Sequence, residues 1–394
     1  MEQFEPRTLA ELAGVLRAER GGRRSIRVKG GGTKQDWLPP GKTDLVLVTS
    51  GLDEVVEHAH GDMTATVQAG LSLHRLQELL ARRGQRLAVD PPLGAGREAT
   101  VGGILACDDA GPSRFAFGSL RELCIGMTFV LADGTVARSG GRVIKNVAGY
   151  DLCKLFCGSR GALGVVAEVS LRLHPIPEAE GTLLVSDTPD DGAAAALEVW
   201  TPALEPVAVT HQRGALWVRF EGTERSVAAR LDRASALLAQ HGEVERIEGA
   251  ESRRRWTEAT EERRGRTDDT TAVLTAPPDR VGALLVFARS DEVDVRAVAD
   301  PLLGQAILHL APSDPAVHAR YLTGLRSRAR AEGGQLRVRV AAPGLAERFD
   351  VEGRLPSAAG VMRALKRELD PEDRLMPGLA YRFLPPEPRS EGER

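Results

Sequence analysis

Three glycine-rich segments, in order along the chain and each beside a strand-like run, constrain the fold more than any other feature. The first, Gly30-Gly31-Gly32-Thr33, ends the run Ile26-Arg27-Val28-Lys29 and leads into Lys34. The second is Ala99-Thr100-Val101-Gly102-Gly103-Ile104. The third runs Gly158-Ser159-Arg160-Gly161-Ala162-Leu163-Gly164-Val165-Val166. Glycine lets a chain turn at positive φ and lets a ligand approach the backbone. Successive N–H groups aimed into one concavity bind anions such as a pyrophosphate. Any one of these loops is compatible with a plain turn; the ordered set predicts a dinucleotide cradle.

A chain of 394 residues permits two or three domains with a real core. The net charge of −3 and the aromatic content of 4 % give no basis for binding nucleic acid or an anionic membrane. No apolar run approaches the roughly 20 residues that cross a bilayer. The start, Met1-Glu2-Gln3-Phe4-Glu5, lacks the pattern of a secretion signal, so the expected location is the cytoplasm. The cysteines, Cys107, Cys124, Cys153 and Cys157, form no Cys-x-x-Cys pair and read as free buried thiols. Their spacing fits neither an iron–sulfur cluster nor a zinc site, so no metal is expected. His58 and His60 read as a solvated helix end. Lysine is scarce beside arginine, yet Lys29, Lys34, Lys145 and Lys154 fall in or beside the informative segments. Chance is one reading; a need for a compact ammonium at some of these sites is the other.

Local signals predict alternating strands and helices in the first half. Thr8-Leu9-Ala10-Glu11 is a capping box for a helix ending near Gly21-Gly22. Strands are expected at Ser25–Lys29, Asp44–Val48 and Ala65–Ala69, then a helix capped by Ser72 through Leu80. Pro91-Pro92 stops any element. Glu122–Leu131 reads as a strand joined through the Asp133-Gly134 turn to Thr135–Arg138. A short helix at Asp151–Phe156 and a strand from Gly164 to Leu173 follow, and His174–Pro177 marks a boundary. In the second half, helices are expected at Ala193–Trp200 and Val227–Gln240. Strands are expected at Ala215–Phe220, Ala283–Ala288, Ala306–Leu310 and Gln335–Val340. The charge runs Arg253–Arg255 and Glu261–Arg264 read as solvated, the end from Pro385 as disordered, and no internal repeat is visible.

This order of motifs resembles the FAD-binding domain of the vanillyl-alcohol oxidase or p-cresol methylhydroxylase (PCMH) type, over roughly residues 3–176. Within that family, Arg142-Val143-Ile144-Lys145-Asn146-Val147-Ala148-Gly149-Tyr150-Asp151-Leu152 is similar to the FAD-binding (E) subunit of bacterial glycolate oxidase. The resemblance implies an α+β, two-subdomain PCMH-type fold in residues 1–176. A smaller α+β, cap-like second domain would occupy 177–384 and a disordered tail 385–394. FAD would lie between subdomains that divide near residue 92. The loop Gly30–Thr33 and the turn Thr100–Gly103 would hold the pyrophosphate, with Gly164, Val165 and Val166 beside the adenine. The candidate cofactor-binding residues are Lys29, Gly30, Gly31, Gly32, Thr33, Lys34, Pro91, Thr100, Val101, Gly102, Gly103, Gly164, Val165 and Val166. Lys145 and Tyr150 either face the flavin or shape its loop. The segment from Asp370 to Gly378 resembles the family's return toward the flavin domain.

Departures from the family pattern matter as much. Many relatives tether FAD through a His in the first loop, where this chain has Gly32-Thr33-Lys34, so FAD is expected to bind non-covalently. Larger relatives that oxidise D-2-hydroxy acids carry a His-x-Gly-Asp-Gly-Asn-x-His type segment. Here the nearest His is His309, without acidic neighbours in sequence, and no catalytic residue is nominated. Oxidation of a hydroxy acid needs a base for the hydroxyl proton. The expectation is therefore an oxidoreductase subunit passing electrons from glycolate or another 2-hydroxy acid. It would act with a catalytic flavoprotein and an iron–sulfur subunit, peripheral to the inner membrane through that complex. A self-sufficient FAD oxidoreductase and a scaffold with an empty flavin site are the alternatives.

Overall fold

The computed structural model describes residues 2–377 apart from 23, 38–40, 144–148, 187, 189–191, 202 and 354–356. Helix α1 (Leu9–Ala18) starts where its capping signal lies. The Thr8 hydroxyl accepts the Glu11 amide, and the Glu11 carboxylate accepts the Arg7 amide at 2.8 Å. Its apolar face, Leu12, Ala13 and Leu16, is buried over a three-stranded parallel sheet. That sheet holds β1 (Glu2–Phe4), β2 (Ile26–Lys29) and β3 (Leu45–Val48), in the order β1-β3-β2. The first glycine loop leaves from the end of β2.

A second, antiparallel sheet is built from β4 (Val55–Ala59), β5 (Thr64–Gln68), β7 (Cys124–Val130), β8 (Val136–Gly140) and β9 (Val165–Arg172). Its order is β4-β5-β9-β7-β8, while β6 (Gln85–Arg86) pairs apart with β10 (His174–Pro175). Helices α2 (Leu73–Ala81), capped by Ser72, and α3 (Val101–Cys107) supply Leu76, Leu80, Val101 and Ile104 to its core. Because β4 and β5 pair in this second sheet, the division expected near residue 92 falls between β3 and β4.

The remaining strands form one eight-stranded antiparallel sheet. They are β11 (Ala179–Ser186), β12 (Ala208–Gln212), β13 (Ala215–Gly222), β14 (Val244–Glu248), β15 (Thr270–Thr275), β16 (Val295–Asp300), β17 (Gln305–Leu310) and β18 (Gln335–Val340). The order β14-β11-β13-β12-β16-β17-β15-β18 is the same permutation read twice in opposite directions. Each half is a βαββαβ unit. Helices Ala193–Val199 and Glu224–Leu238 serve the first, Pro278–Ala288 and Pro315–Ala331 the second. The two halves share this topology without a visible repeat in sequence. Each half has its own core, around Phe220 and Leu231 in one and Leu284, Leu308 and Leu322 in the other.

Side chains alternate across a strand, so Leu336 and Val338 enter that second core while Arg337 and Arg339 face the other way. That opposite face meets the N-terminal region. Arg339 stacks on Trp37 at 4.2 Å, Arg86 pairs with Glu221, and the Glu261 carboxylate accepts the Leu93 amide at 2.6 Å. The chain then returns, and Leu375 bridges Ile26 of β2 in parallel.

Several expectations change. Ala283–Ala288 lies in a helix, not a strand. Pro278 opens it, and Val281, Leu284, Leu285 and Ala288 recur at helical spacing. His58 lies in β4 and bonds to Gln85 at 2.7 Å. Glu122 closes a capping box with Ser119, so a helical turn precedes β7. The turn expected at Thr100–Gly103 is the first turn of α3. Arg253–Arg255 are solvated as expected, but Arg263 is only 3 % exposed and pairs with Asp300. Strands β1, β4, β6, β10, β11, β12, β14, β15 and β16 were not foreseen. The tail 385–394 and Lys145 lie outside the described residues.

Candidate functional site

The three glycine segments converge on one cleft with about 690 Å³ of empty space, its open mouth included. Of the candidate residues, Gly30, Gly31, Gly32, Thr33, Lys34, Thr100, Gly102, Gly103, Gly164, Val165 and Val166 line it. Lys29, Pro91 and Val101 do not. The Lys29 stem passes behind Gly32, Pro91 is buried elsewhere, and Val101 is fully buried in the core. Tyr150 is 92 % exposed and is also absent from the lining.

Gly32 turns the first loop at φ +80°, in the left-handed region. Gly31 is required for a different reason than ligand access. A Cβ there would stand 1.8 Å from the Glu98 carbonyl oxygen, because this loop lies directly on the strand entering α3. Among the described residues, the amides of Gly31, Gly32, Thr33 and Lys34 donate to no protein acceptor. Buried or half-buried amides are rarely left so, and a run of them marks a place for an anion.

The second segment is different. Val101 donates to Leu71 O at 2.9 Å, Gly102 to Ala69 O at 2.7 Å, and Gly103 to the Thr100 hydroxyl at 3.2 Å. The expectation of bare donors at Thr100–Gly103 is therefore corrected. Gly102 is glycine because a Cβ would meet Ala69 Cβ at 2.7 Å. At Gly103 the nearest atom would be Thr100 Oγ1 at 3.1 Å, leaving space toward the cleft.

The third segment is pinned to the end of α3. Gly158 donates to Leu105 O at 3.0 Å and Arg160 to Ala106 O at 2.7 Å, with Arg160 at φ +54°. This places Ser159, Arg160 and Gly161 on the cleft wall, with Cys107 and Thr49. Sequence reasoning did not nominate these as site residues, since their approach depends on α3.

Lys34, buried at the cleft, lies 3.1 Å from the Asp109 carboxylate and donates to Thr33 Oγ1 at 3.2 Å. Burial pushes the Cys107 thiol up to about 11, so it stays protonated at neutral pH and is no nucleophile there. Burial likewise holds the Arg339 guanidinium down to about 10, although Asp109 opposes the shift.

A model of the FAD binding domain matches residues 3–140. Among curated proteins, the chain is 37 % identical over 175 residues to glycolate oxidase subunit GlcE of Escherichia coli, covering 44 % of this chain and 50 % of that one. It is 35 % identical over 196 residues to mitochondrial D-lactate dehydrogenase [cytochrome] 1 of Saccharomyces cerevisiae, covering 48 % and 33 %. It is 34 % identical over 190 residues to glycolate oxidase subunit GlcD of Bacillus subtilis, covering 48 % and 40 %. The matched stretches span half or less of these relatives. Alkyldihydroxyacetonephosphate synthase superposes with a TM-score of 0.73 at 15 % identity over 95 % of this chain and 75 % of that one. That likeness establishes the fold, the expected two-subdomain α+β architecture with a further α+β region.

FAD fits what the residues present. A pyrophosphate needs several donors without side chains in the way, and Gly31–Lys34 offer them beside a buried ammonium. His309 lies apart from the cleft lining, 1 % exposed. Its Nδ1 is 3.0 Å from Thr271 Oγ1, and its Nε2 has no partner among the described residues. Burial holds its pKa down to about 4, against the nearby Asp269, an acidic neighbour that the sequence does not reveal. Among the described residues, no helix is long and apolar enough to cross a membrane, and no cluster of His, Cys, Asp or Glu could hold a metal.

Proposed function

We propose that the chain is the FAD-bearing subunit of a glycolate or related 2-hydroxy acid oxidoreductase complex. The observation that carries the reading is the run of unbonded amides at Gly31–Lys34 inside a family-matched FAD binding domain. Residues 1–176 would hold the flavin and residues 177–384 would serve assembly. The amides of Gly31 to Lys34 would take the pyrophosphate, and Gly164 to Val166 would flank the adenine. Bound FAD supplies the two-electron acceptor for hydroxy-acid oxidation. Thr33, at the position of a tethering His, offers no nitrogen for a covalent bond, so the flavin is held by contacts alone. GlcE and GlcD are each a subunit of glycolate oxidase, which supports further subunits as partners; a larger flavoprotein and an iron–sulfur protein would fill those places, with the chain peripheral to the inner membrane through them. A second observation favours dependence on partners: among the described residues, no carboxylate and no imidazole lines the glycine cleft.

The test has two parts. Purified protein should bind FAD and release it on acid precipitation; flavin that stays with the precipitate rejects the non-covalent reading. The single chain with glycolate and an artificial acceptor should turn over poorly. A positioned base is worth about 10²–10⁴ in rate, so activity should rise by that order when the partners are added. Full turnover by the chain alone rejects the subunit reading.

A further inference from the structure

A second cleft continues from the glycine cleft past Ser159 and Arg160, which line both. Measured the same way it has about 2170 Å³ of empty space. One wall is the segment from Leu155 to Leu163. The other is formed by β15 and β18, with Val273, Thr275 and Arg337, closed at the side by the helix Ala359–Leu369.

Its charge is lopsided. Among the described residues, Arg160, Arg326, Arg330 and Arg337 line it, against one acidic residue, Glu352. Arg160, Arg330 and Arg337 form no ion pair among the described residues. Arg326 is buried. Its Nε donates to Leu336 O at 3.1 Å, its Nη1 lies 3.8 Å from the Asp350 carboxylate, its guanidinium stacks on Phe349 at 4.0 Å, and its Nη2 has no acceptor among the described residues. Burial lowers the Arg337 pKa and the Arg160 charge lowers it further, while Glu352 and Asp108 oppose the shift. Lys366, also on this wall, is satisfied by Asp370, Ala162 O and Leu375 O, so it adds no unpaired charge. Grouped guanidinium ions repel one another, and a fold tolerates them in a cleft when an anion offsets the repulsion. Between the charges the walls are apolar, with Leu163, Val273, Met362 and Leu365. A guanidinium fork matches carboxylate and phosphate oxygens, while such walls accept a hydrocarbon or ring.

We propose that this second cleft binds an organic anion, a molecule with an apolar body and a phosphate or carboxylate group gripped by Arg326, Arg330 and Arg337. This goes beyond the flavin reading and does not depend on it, since these arginines are absent from the glycine cleft.

The experiment is calorimetric titration of the full chain, as purified and with added FAD, with phenyl phosphate and separately with benzoate. At least one probe should bind, more weakly as salt is added. Binding of phenyl phosphate alone or of benzoate alone supports the site and identifies its head group. Arg337→Gln should weaken binding about tenfold or more, the loss of one charge-assisted contact, with the flavin-to-protein ratio unchanged. If that variant does not fold, Arg330→Gln, at an exposed position, takes its place. Absence of heat with both probes overturns the proposal, as does wild-type affinity in whichever variant folds. Loss of flavin together with the probe also overturns it, because the cleft would then be part of the FAD site.

Discussion

In the loop from Gly30 to Lys34 the amides of Gly31 through Lys34 have no acceptor among the described residues. In the segment from Thr100 to Gly103 the amides of Val101, Gly102 and Gly103 are all bonded within the protein. Both segments are glycine-rich and both line one cleft. The first has donors to offer an anion. The second has spent its donors on α3 and on Ala69 and Leu71, and its glycines let the helix approach β5 closely while leaving the cleft clear. Glycine content thus marks close approach in both places, without saying whether the approaching group is a ligand or the protein.

Substitutions can break that contrast. The largest effect is expected for Gly31→Ala, where the new methyl must displace the Glu98 carbonyl. Overpacking of this kind costs about 1–3 kcal/mol or more, and the displaced loop should retain no flavin. A variant with normal melting temperature and full flavin content would show that the loop is not the anion cradle. Gly103→Val comes next. Its side chain points into space toward the cleft, so flavin content should collapse while the melting temperature stays near that of the parent. Normal flavin stoichiometry would mean that α3 stands farther from the cofactor than the cleft lining indicates.

Thr100→Val sharpens the comparison from the other side. It removes the hydroxyl that accepts the Gly103 amide, a cap worth about 1 kcal/mol. Stability should fall by that amount with flavin retained; loss of flavin at unchanged stability would return the donor role to the second segment. The smallest effect concerns Cys107 at the end of α3. With a pKa of about 11, its alkylation should be slow at pH 8 and rise about tenfold per pH unit toward 11, because the thiolate is the nucleophile. Fast alkylation at pH 7 would mean that the wall around Cys107 is wetter than its burial implies.

Local chemistry made much of the first region legible. Thr8, Ser72 and Asp151 cap helices within a few residues of themselves, and Asp133-Gly134 closes its hairpin at φ +83°. The glycine segments were likewise readable as a converging set. The helix at Pro278–Ala288 was missed because a short apolar run reads equally as a buried strand. Strand β15 was missed since it pairs only with β17 and β18, remote in sequence. The paired halves of the eight-stranded sheet were invisible because they share a topology without a visible repeat in sequence.

By itself the sequence determined the α+β class, the order of the glycine segments and the start sites of the early helices. Those features rest on residues within a turn or two of one another. The tertiary structure alone decided which amides remain unbonded, that Glu261 and Arg263 leave solvent, that Asp269 comes near His309, and that Arg160 stands in one cleft with Arg326, Arg330 and Arg337. A hydrogen bond or a field depends on where its partner sits, and here the partners lie on different strands and helices, brought together only by packing.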